Sequence, residues 1–369
     1  MTQHRLGREL VFFSKQVQIF PMVVPVYEAC GGVFVSTRRS TLAALRESRP
    51  EVESYYIAKR FRAFFSGNRV LNNAKVIVTG ATHHNVLGRV SAPKAMLFHG
   101  CVNRLTSKMV ESLSGFDHVF LQTPRLQRML QRYGKDDAIT HSVPGYLPFD
   151  RFTAKTDDNR RAILGRLNLD PDKPTIVYAP TRGIYGSWLR YGLSIAEQIP
   201  DAFNLVMRPH PHQVHGGSKE ERASFTKIQS ALSGRPGRCI DLDKCHLSEL
   251  LSVADLLISD QNSTAEESLY YDLPQLFTEV FSRDRWAAQY RDEGIDEESI
   301  AELMGFYDCA SSFDQLSTDN WGKAVEMALA SGDDLSAQRK QYFAECFGPV
   351  YGRRVVDDVS RTLRDIGGL

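Results

Sequence analysis

Short apolar runs alternate along this chain with segments whose apolar residues recur at helical spacing. In the first 150 residues the runs predict strands and the intervening segments predict helices. The predicted strands are Leu10–Phe13, Gly32–Ser36, Lys75–Thr79, Ala95–Phe98 and His118–Leu121, and the predicted helices include Ser40–Glu47, Tyr56–Phe65 and Arg125–Tyr133. Strands that alternate with helices are typical of a parallel sheet with crossover helices.

The same alternation restarts after Tyr146–Asp158, a segment without a clear period that predicts a linker. The later strands are Thr175–Ala179, Phe203–Met207, Cys239–Leu242, Asp255–Ser259 and Gln275–Phe277, and the later helices are Ser218–Leu232, Leu247–Val253 and Thr264–Tyr271. The tail from Asp314 onward is mostly helical in pattern. We therefore expect an α/β protein with two Rossmann-like, doubly wound domains that face a cleft.

The length of 369 residues also favours two domains, because one hydrophobic core seldom grows so large. We predict an N-terminal domain over residues 1–150 and a C-terminal domain over residues 151–345. Residues 346–369 are predicted to form a helix that crosses back to the N-terminal domain.

Composition narrows the class of protein. Apolar residues make up 42% and charged residues 24%, as in ordinary globular proteins. The longest apolar run, Val17–Val26, contains two prolines and is too short to span a membrane. The first residues lack the layout of a signal peptide, and the six cysteines lack the spacing of a disulfide framework. These features predict a cytoplasmic protein.

The charge is divided unevenly between the two halves. The net charge is +1, but residues 1–150 contain 20 basic and 10 acidic residues, whereas the rest contains 25 and 34. Either the N-terminal half faces an anionic partner, or the two halves attract each other across a cleft. The near-zero total and the lack of an aromatic-basic motif argue against nucleic-acid binding.

Polar side chains follow several predicted strands, where ligands bind in open α/β sheets. His99-Gly100 follows one strand, and a histidine there suits general-base work on a hydroxyl. Thr181 and Arg182 follow another, and the arginine could clamp a phosphate. A structural turn at the histidine and an interdomain ion pair at the arginine are the alternatives.

Two further strand ends carry candidate groups. Arg208 and His210 follow the strand Phe203–Met207, and prolines on both sides of His210 stiffen the loop. Ser259–Thr264 leads into a helix, where Ser263 or Thr264 is the expected N-cap and the helix N-terminus favours an anion. If the anion is part of a nucleotide, we predict that it would also contact Ser259, Asp260, Glu266 and Glu267.

The succession of these segments resembles the CDP-glycerol glycerophosphotransferase family, whose enzymes build teichoic-acid-like and capsule polymers. The segments that carry the resemblance are His99-Gly100, Gly145–Asp150, Tyr178–Arg182, Arg208–Pro211 and Ser259–Thr264, within about residues 95–360. The resemblance implies a GT-B fold and transfer of glycerol phosphate from a cytidine-activated donor to a hydroxyl of a glycan or polyol-phosphate acceptor.

The sequence departs from the family pattern at two places. Cys101 and Val102 follow the His-Gly pair, and Gln261 and Asn262 replace a Tyr-Ser pair. A GT-B glycosyltransferase that uses CMP-Kdo or a UDP-sugar, a UDP-sugar 2-epimerase and a non-catalytic nucleotide-sugar-binding module therefore stay open.

The resemblance also implies residue roles. His99 would take the acceptor proton, and His210 would act on the leaving group. The donor phosphates would be bound by Thr181, Arg182, Arg208, Ser263 and Thr264. No cofactor and no metal ion are expected, although Asp241 and Asp243 could serve a metal-dependent enzyme.

The N-terminal half offers a candidate acceptor surface. Residues 55–65 mix aromatic and basic side chains, and on a helix Ile57, Phe61 and Phe64 share one face. Such a helix could contact the inner face of a membrane that carries a lipid-linked acceptor. Its alternative is an ordinary amphipathic helix packed on the first sheet.

Overall fold

The chain forms two compact units in a computed structural model that describes residues 6–16, 19–58, 66–98, 100–210, 213, 218–316, 318–349 and 354–369. Unit 1 contains Met1–Arg151, Glu293–Ile295 and Glu345–Leu369. Unit 2 contains Phe152–Asp292 and Asp296–Ala344.

Unit 1 is built on a parallel sheet whose strand order is β3-β2-β1-β4-β5-β6-β7. Its described strands are β1 (Leu10–Phe13), β2 (Val33–Ser36), β3 (Ser54–Tyr56), β4 (Val76–Thr79), β5 (Lys94–Leu97), β6 (His118–Phe120) and β7 (His141–Ser142). Its described helices are α1 (Phe20–Cys30), α2 (Arg39–Ser48), α3 (Ser66–Asn72), α4 (His84–Leu87), α5 (Ser107–Leu113) and α6 (Pro124–Arg132).

Unit 2 is built on a second parallel sheet, with the order β10-β9-β8-β11-β12-β13. Its described strands are β8 (Thr175–Ala179), β9 (Asn204–Met207), β10 (Arg238–Ile240), β11 (Leu256–Ser259), β12 (Gln275–Phe277) and β13 (Ser311–Ser312). Its first helices are α7 (Asp157–Arg166), α8 (Trp188–Gln198), α9 (Lys219–Leu232), α10 (Leu247–Val253) and α11 (Ser263–Ser268).

The rest of the chain is mainly helical. It contains α12 (Arg283–Asp292), α13 (Glu297–Met304), α14 (Trp321–Ala330), α15 (Ser336–Phe347) and α16 (Val355–Gly367). Short 3₁₀ helices lie at Gly7–Glu9, Leu147–Arg151, Gly183–Tyr185, Leu269–Tyr271, Gly305–Cys309, Phe313–Gln315 and Asp333–Leu335. No helix in the described part of the chain is long and apolar enough to cross a lipid bilayer.

The central strands are mainly apolar, as is typical of parallel sheets that are covered on both faces. Every residue of β1, β4, β8 and β11 is buried. In unit 2, Tyr178 and Trp188 are among the buried side chains that pack helices onto the sheet. The prediction of an α/β fold with two doubly wound, parallel-sheet domains is confirmed.

The predicted helix Tyr56–Phe65 is wrong at its start. Ser54–Tyr56 forms the edge strand β3, in which Tyr55 pairs with Val35 and Tyr56 pairs with Ser36. The helical spacing of the aromatic residues could not reveal that a strand edge was available. Residues 59–65, which carry most of the proposed membrane-facing surface, lie outside the described residues.

The predicted linker Tyr146–Asp158 is wrong over its first half. Tyr146, Leu147 and Phe149 are buried, and Phe149 packs edge-on against Phe347 at a centroid distance of 5.1 Å. The segment Leu147–Arg151 is a 3₁₀ helix of unit 1. Phe149 also packs against Tyr146 at a centroid distance of 4.9 Å, so the segment combines a local contact with one to a distant helix.

Candidate functional site

Three of the predicted loops lie at one edge of the unit 2 sheet. Strand β8 pairs in parallel with β9 on one side and β11 on the other, so their carboxyl ends are neighbours. The chain passes from β8 to β9 and later returns to β11, which makes the β8–β11 boundary a topological switch point. Ligands of open α/β sheets bind outside the strand ends at such a point.

Asp260 joins the loops that follow three strands. The side chain is 3% exposed, and one carboxylate oxygen accepts hydrogen bonds from the backbone N–H groups of Thr181 at 2.8 Å and Ser187 at 3.0 Å. The other carboxylate oxygen accepts a bond from the Thr278 hydroxyl, directly after β12. Burial raises the pKa of Asp260, and these hydrogen bonds oppose the rise.

The loop after β8 is anchored at both ends and exposed in the middle. Tyr185 stacks on Trp286 at 5.1 Å, and the Tyr178 and Ser187 hydroxyls are 2.7 Å apart. Position 186 needs glycine, because a side chain there would begin 2.1 Å from the Thr181 carbonyl oxygen. Arg182, between these anchors, is exposed and therefore accessible to a ligand.

The loop after β9 is tied to the loop after β8 by Gln213. The His210 backbone N–H donates to the Gln213 side-chain oxygen at 2.9 Å, and the Gln213 amide donates to the Thr181 carbonyl at 3.3 Å. Gln213 is 2% exposed, whereas His210 is half-buried. A continuous series of hydrogen bonds thus connects His210, Gln213, Thr181 and Asp260.

Arg208 forms an ion pair with a buried carboxylate. Its guanidinium donates to Asp241 at 2.5 Å, and the Asp241 side chain is fully buried while that of Arg208 is 21% exposed. The other Asp241 oxygen accepts the Lys244 backbone N–H at 3.0 Å. Asp241 therefore orients one side of the guanidinium, and the fork retains donors for a second anion.

The loop after β11 starts its helix one residue earlier than the sequence indicated. The N-cap of α11 is Asn262, whose side-chain oxygen accepts the Ala265 backbone N–H at 3.0 Å. The expectation of Ser263 or Thr264 as the N-cap is therefore wrong. The Asn262 amide also donates to the Ala179 carbonyl at 3.0 Å, so the capping residue is linked to the end of β8.

The residues at the start of α11 that were predicted to bind the donor phosphates or the nucleotide differ in exposure. Ser263, predicted to bind the donor phosphates, is exposed, and Thr264 is half-buried. Ser259 is fully buried, and its hydroxyl donates to the Ala179 carbonyl at 3.2 Å. Glu266 and Glu267 are 1% and 8% exposed, and the Tyr342 hydroxyl donates to Glu266 at 3.3 Å.

The structure does not place the predicted base, His99, or support a metal site at Asp241 and Asp243. His99 lies outside the described residues, so its role as the base stays a prediction. Asp241, considered as a metal ligand, is engaged by Arg208, while Asp243 is exposed. Among the residues that the structure describes, no group of three or more histidine, cysteine or acidic side chains is arranged to hold a metal ion.

Sequence reasoning missed the residues that connect the loops. They are Ser187, Gln213, Asp241, Asn262 and Thr278. Asn262 had a local signal, since asparagine two positions before a predicted helix is a common N-cap. The others carried no such signal, because each of them has a partner that lies 18 to 73 residues away in the sequence.

Comparison with protein families gives one match. A model of the family "CDP-Glycerol:Poly(glycerophosphate) glycerophosphotransferase" matches residues 94–293, more than half of the chain. The matched range begins at β5 and includes the strand-end loops of unit 2 described above. No curated protein matches the chain by sequence.

Solved structures with the same fold include the wall teichoic acid polymerase TagF. It has a TM-score of 0.66 and 16% identity, and the alignment covers 98% of this chain and 89% of that chain. A TagF variant soaked with CDPG gives a TM-score of 0.67 at 14% identity, with the same coverage of both chains. A provisionally assigned UDP-N-acetylglucosamine 2-epimerase from Listeria monocytogenes gives 0.58 at 16% identity, with 98% and 96% covered. At these identities the likeness establishes the fold alone.

Proposed function

Because the chain belongs to the CDP-glycerol:poly(glycerophosphate) glycerophosphotransferase family and is thus a transferase, we propose that it moves glycerol phosphate from CDP-glycerol to a hydroxyl of a glycan or polyol-phosphate acceptor. The observation that carries the proposal is the hydrogen-bonded edge of the unit 2 sheet. There Thr181, His210 and Asp260 are joined across the β8–β11 switch point. Such preorganised polar groups are what diphosphate binding requires.

Five side chains at this edge contact different parts of the donor in this proposal. Arg182 and Arg208 bind the diphosphate oxygens as charged donors, and the hydroxyls of Ser263 and Thr264 add neutral ones. Of the two glutamates on α11, Glu267 retains more exposed surface, so it is the better candidate to accept a hydrogen bond from a ribose hydroxyl. Ser259 and Asp260 act indirectly, because they hold the loops rather than the ligand.

Two histidines act in the proposed reaction, one on the acceptor hydroxyl and one on the leaving group. The acceptor hydroxyl oxygen attacks the phosphorus that bears glycerol, and the bond from that phosphorus to the oxygen it shares with CMP breaks. His99 takes the proton of the attacking hydroxyl, and CMP leaves with the bond electrons. His210, beside Arg208, stabilises the charge on the departing phosphate by donating a hydrogen bond. The products are CMP and the acceptor extended by one glycerol phosphate.

Donor binding tests the proposal most directly. We expect CDP-glycerol and CDP to raise the melting temperature, since a ligand at 100 times its Kd stabilises the folded state by about 2.7 kcal/mol. His210→Ala is expected to reduce that shift. His141→Ala is the matched control, because His141 is also half-buried but is bound to Ile139 and Asp136 in unit 1.

Release of CMP, measured with a glycerol-phosphate-terminated acceptor, then tests the transfer itself. A melting-temperature shift with UDP-sugars alone would instead support a UDP-sugar transferase or a 2-epimerase-like enzyme. Binding without CMP release, unaffected by His99→Ala, would support a non-catalytic binding module. The absence of any nucleotide effect would contradict the proposal.

A further inference from the structure

Gln122 is a buried glutamine just past the carboxyl end of a strand of unit 1. It lies two residues after β6, directly before Thr123, whose hydroxyl caps α6 by accepting the Leu126 N–H at 3.2 Å. The Gln122 side chain is 2% exposed. A capped helix and a central strand therefore fix the residue on both sides, which makes it a rigid support.

Every polar atom of this side chain bonds to the loop that follows β5. The amide nitrogen donates to the Gly100 carbonyl at 2.8 Å and to the Phe98 carbonyl at 3.3 Å. The amide oxygen accepts the Val102 backbone N–H at 2.9 Å. One side chain thus engages three backbone groups within five consecutive positions of the chain.

The described residues of this loop have no regular secondary structure. Residues 100–106 form neither helix nor strand, and Gly100 has a φ of +66°, in the left-handed region. Phe98 is buried, and a buried backbone group outside a helix or a sheet needs a hydrogen-bond partner, which a side chain can supply. Gln122 supplies both a donor and an acceptor, which the carboxylate of glutamate and the side chain of methionine cannot do at neutral pH.

We propose that Gln122 is a positioning residue for the general base of the transfer reaction, acting through the backbone on either side of position 99. The inference rests on the proposed function, in which His99 accepts the acceptor proton. Phe98 and Gly100, the two residues whose carbonyls Gln122 binds, are the neighbours of His99 in the chain. Gln122 itself touches no reacting atom and is not a catalytic residue.

A double-mutant cycle tests this role. In Gln122→Met, we expect kcat for CMP release to fall about 10- to 100-fold, because displacement of a catalytic group by about 1 Å can cost a factor of about 100. The KM for CDP-glycerol should stay within about twofold, since residues of unit 2 hold the donor. In a His99→Ala background, Gln122→Met should lower kcat no further.

A second variant provides a pH signature. Gln122→Glu retains the acceptor for Val102, but when ionised it directs charge at two carbonyl oxygens, and burial favours its protonated form. The ratio of its kcat to that of Gln122→Met should therefore rise as the pH falls. A ratio that does not change with pH would contradict the proposed hydrogen bonds.

Asn204→Asp is the matched control, because Asn204 is a fully buried amide at the opposite edge of the unit 2 sheet and donates to the Asp170 carbonyl at 2.6 Å. It should lower stability without lowering kcat of the folded protein. The positioning role is overturned if Gln122→Met lowers kcat by the same factor with and without His99. If His99→Ala leaves kcat unchanged, the proposed base itself fails.

Discussion

Asp260 shows how a single buried side chain can join the loops at one edge of a sheet. Its carboxylate accepts hydrogen bonds from Thr181, Ser187 and Thr278, which follow two strands other than its own. A carboxylate suits this place because it has several acceptor sites and no donor that could stay unpaired. The cost is the loss of hydration on burial, which the hydrogen bonds only partly offset.

We predict that this balance makes stability depend on pH. Burial raises the pKa of Asp260 above its ordinary value of 3.8, so between the two values the folded protein binds more protons than the unfolded chain. The stability that Asp260 contributes is therefore complete below about pH 3.8 and is lost as the pH rises through the raised pKa. Each pKa unit between the folded and unfolded values is worth about 1.4 kcal/mol.

The measurement is the free energy of unfolding of the wild type and of Asp260→Asn, by chemical denaturation from pH 4 to 8. Asparagine keeps an oxygen acceptor but does not titrate. The wild type should lose stability relative to the variant as the pH rises. A difference that grows in the opposite direction would show that the hydrogen bonds outweigh burial.

At the scale of elements, the start of α11 separates two tasks that the sequence suggested were combined. Asn262 caps the helix and binds the Ala179 carbonyl, whereas the exposed Ser263 has no part in the cap. The hydroxyl of Ser263 is consequently available to a ligand. The capping role at this helix therefore belongs to Asn262, and the proposed ligand-binding role belongs to its neighbour Ser263.

Three alanine variants distinguish these roles. Asn262→Ala should cost about 1–2 kcal/mol of stability, as loss of a good N-cap does, and should also raise the KM for CDP-glycerol. Ser263→Ala should change stability by less than about 0.5 kcal/mol while raising that KM. Thr156→Ala removes the N-cap of α7 and should cost about 1 kcal/mol without affecting the KM.

Denaturation midpoints and initial-rate kinetics on the same preparations provide both readouts. If Ser263→Ala leaves the KM unchanged, Ser263 does not bind the donor. If Thr156→Ala raises the KM as much as Asn262→Ala does, loss of stability alone explains the effect.

The strand β3 illustrates a limit of periodicity at this scale. The stretch from Ser54 has aromatic residues whose spacing fits a helix, yet Ser54–Tyr56 extends the sheet beside β2. Short apolar segments fit both periods, and an available strand edge decides between them. By contrast, the helix predicted from Ser218 is confirmed as α9. Its start coincides with a capping box between Ser218 and Glu221, which is a local signal.

At the scale of the whole molecule, Asp150 ties the end of the chain to unit 1. Its two carboxylate oxygens accept the Val355 N–H at 2.9 Å and the Val356 N–H at 2.7 Å. Arg354, the N-cap residue of α16, makes no capping hydrogen bond with its own side chain. A residue some 200 positions earlier therefore caps the last helix.

We predict that Asp150→Ala loosens α16 selectively. Loss of this cap should cost about 1–2 kcal/mol and speed amide exchange over residues 355–360 by about tenfold. Exchange in α8 of unit 2 should not change. Hydrogen exchange followed by mass spectrometry gives both values in one experiment.

Asp158→Ala is the control, because Asp158 is an exposed residue paired only across one turn with Arg161. It should leave exchange over residues 355–360 unaltered. Equal acceleration of exchange throughout the chain in Asp150→Ala would contradict a local cap and indicate global destabilisation.

The sequence by itself determined ten of the thirteen strands that the structure describes, the α/β class and the family. These features depend on local periodicity and on short segments such as Tyr178–Arg182. Both can be recognised in a short stretch of sequence without knowledge of distant partners. It also identified Thr181, Arg182, Arg208 and His210 at the ends of β8 and β9, because parallel strands bring their carboxyl ends to one edge.

Only the tertiary structure decided which partners the side chains at this edge bind. Whether Asp260 faces a ligand or three loops, whether Arg208 is already paired with Asp241, and which residue caps α11 depend on partners from other strands. Those partners are fixed by the order and register of the sheet. Strand order arises from long-range packing of the whole chain, which no local sequence pattern specifies.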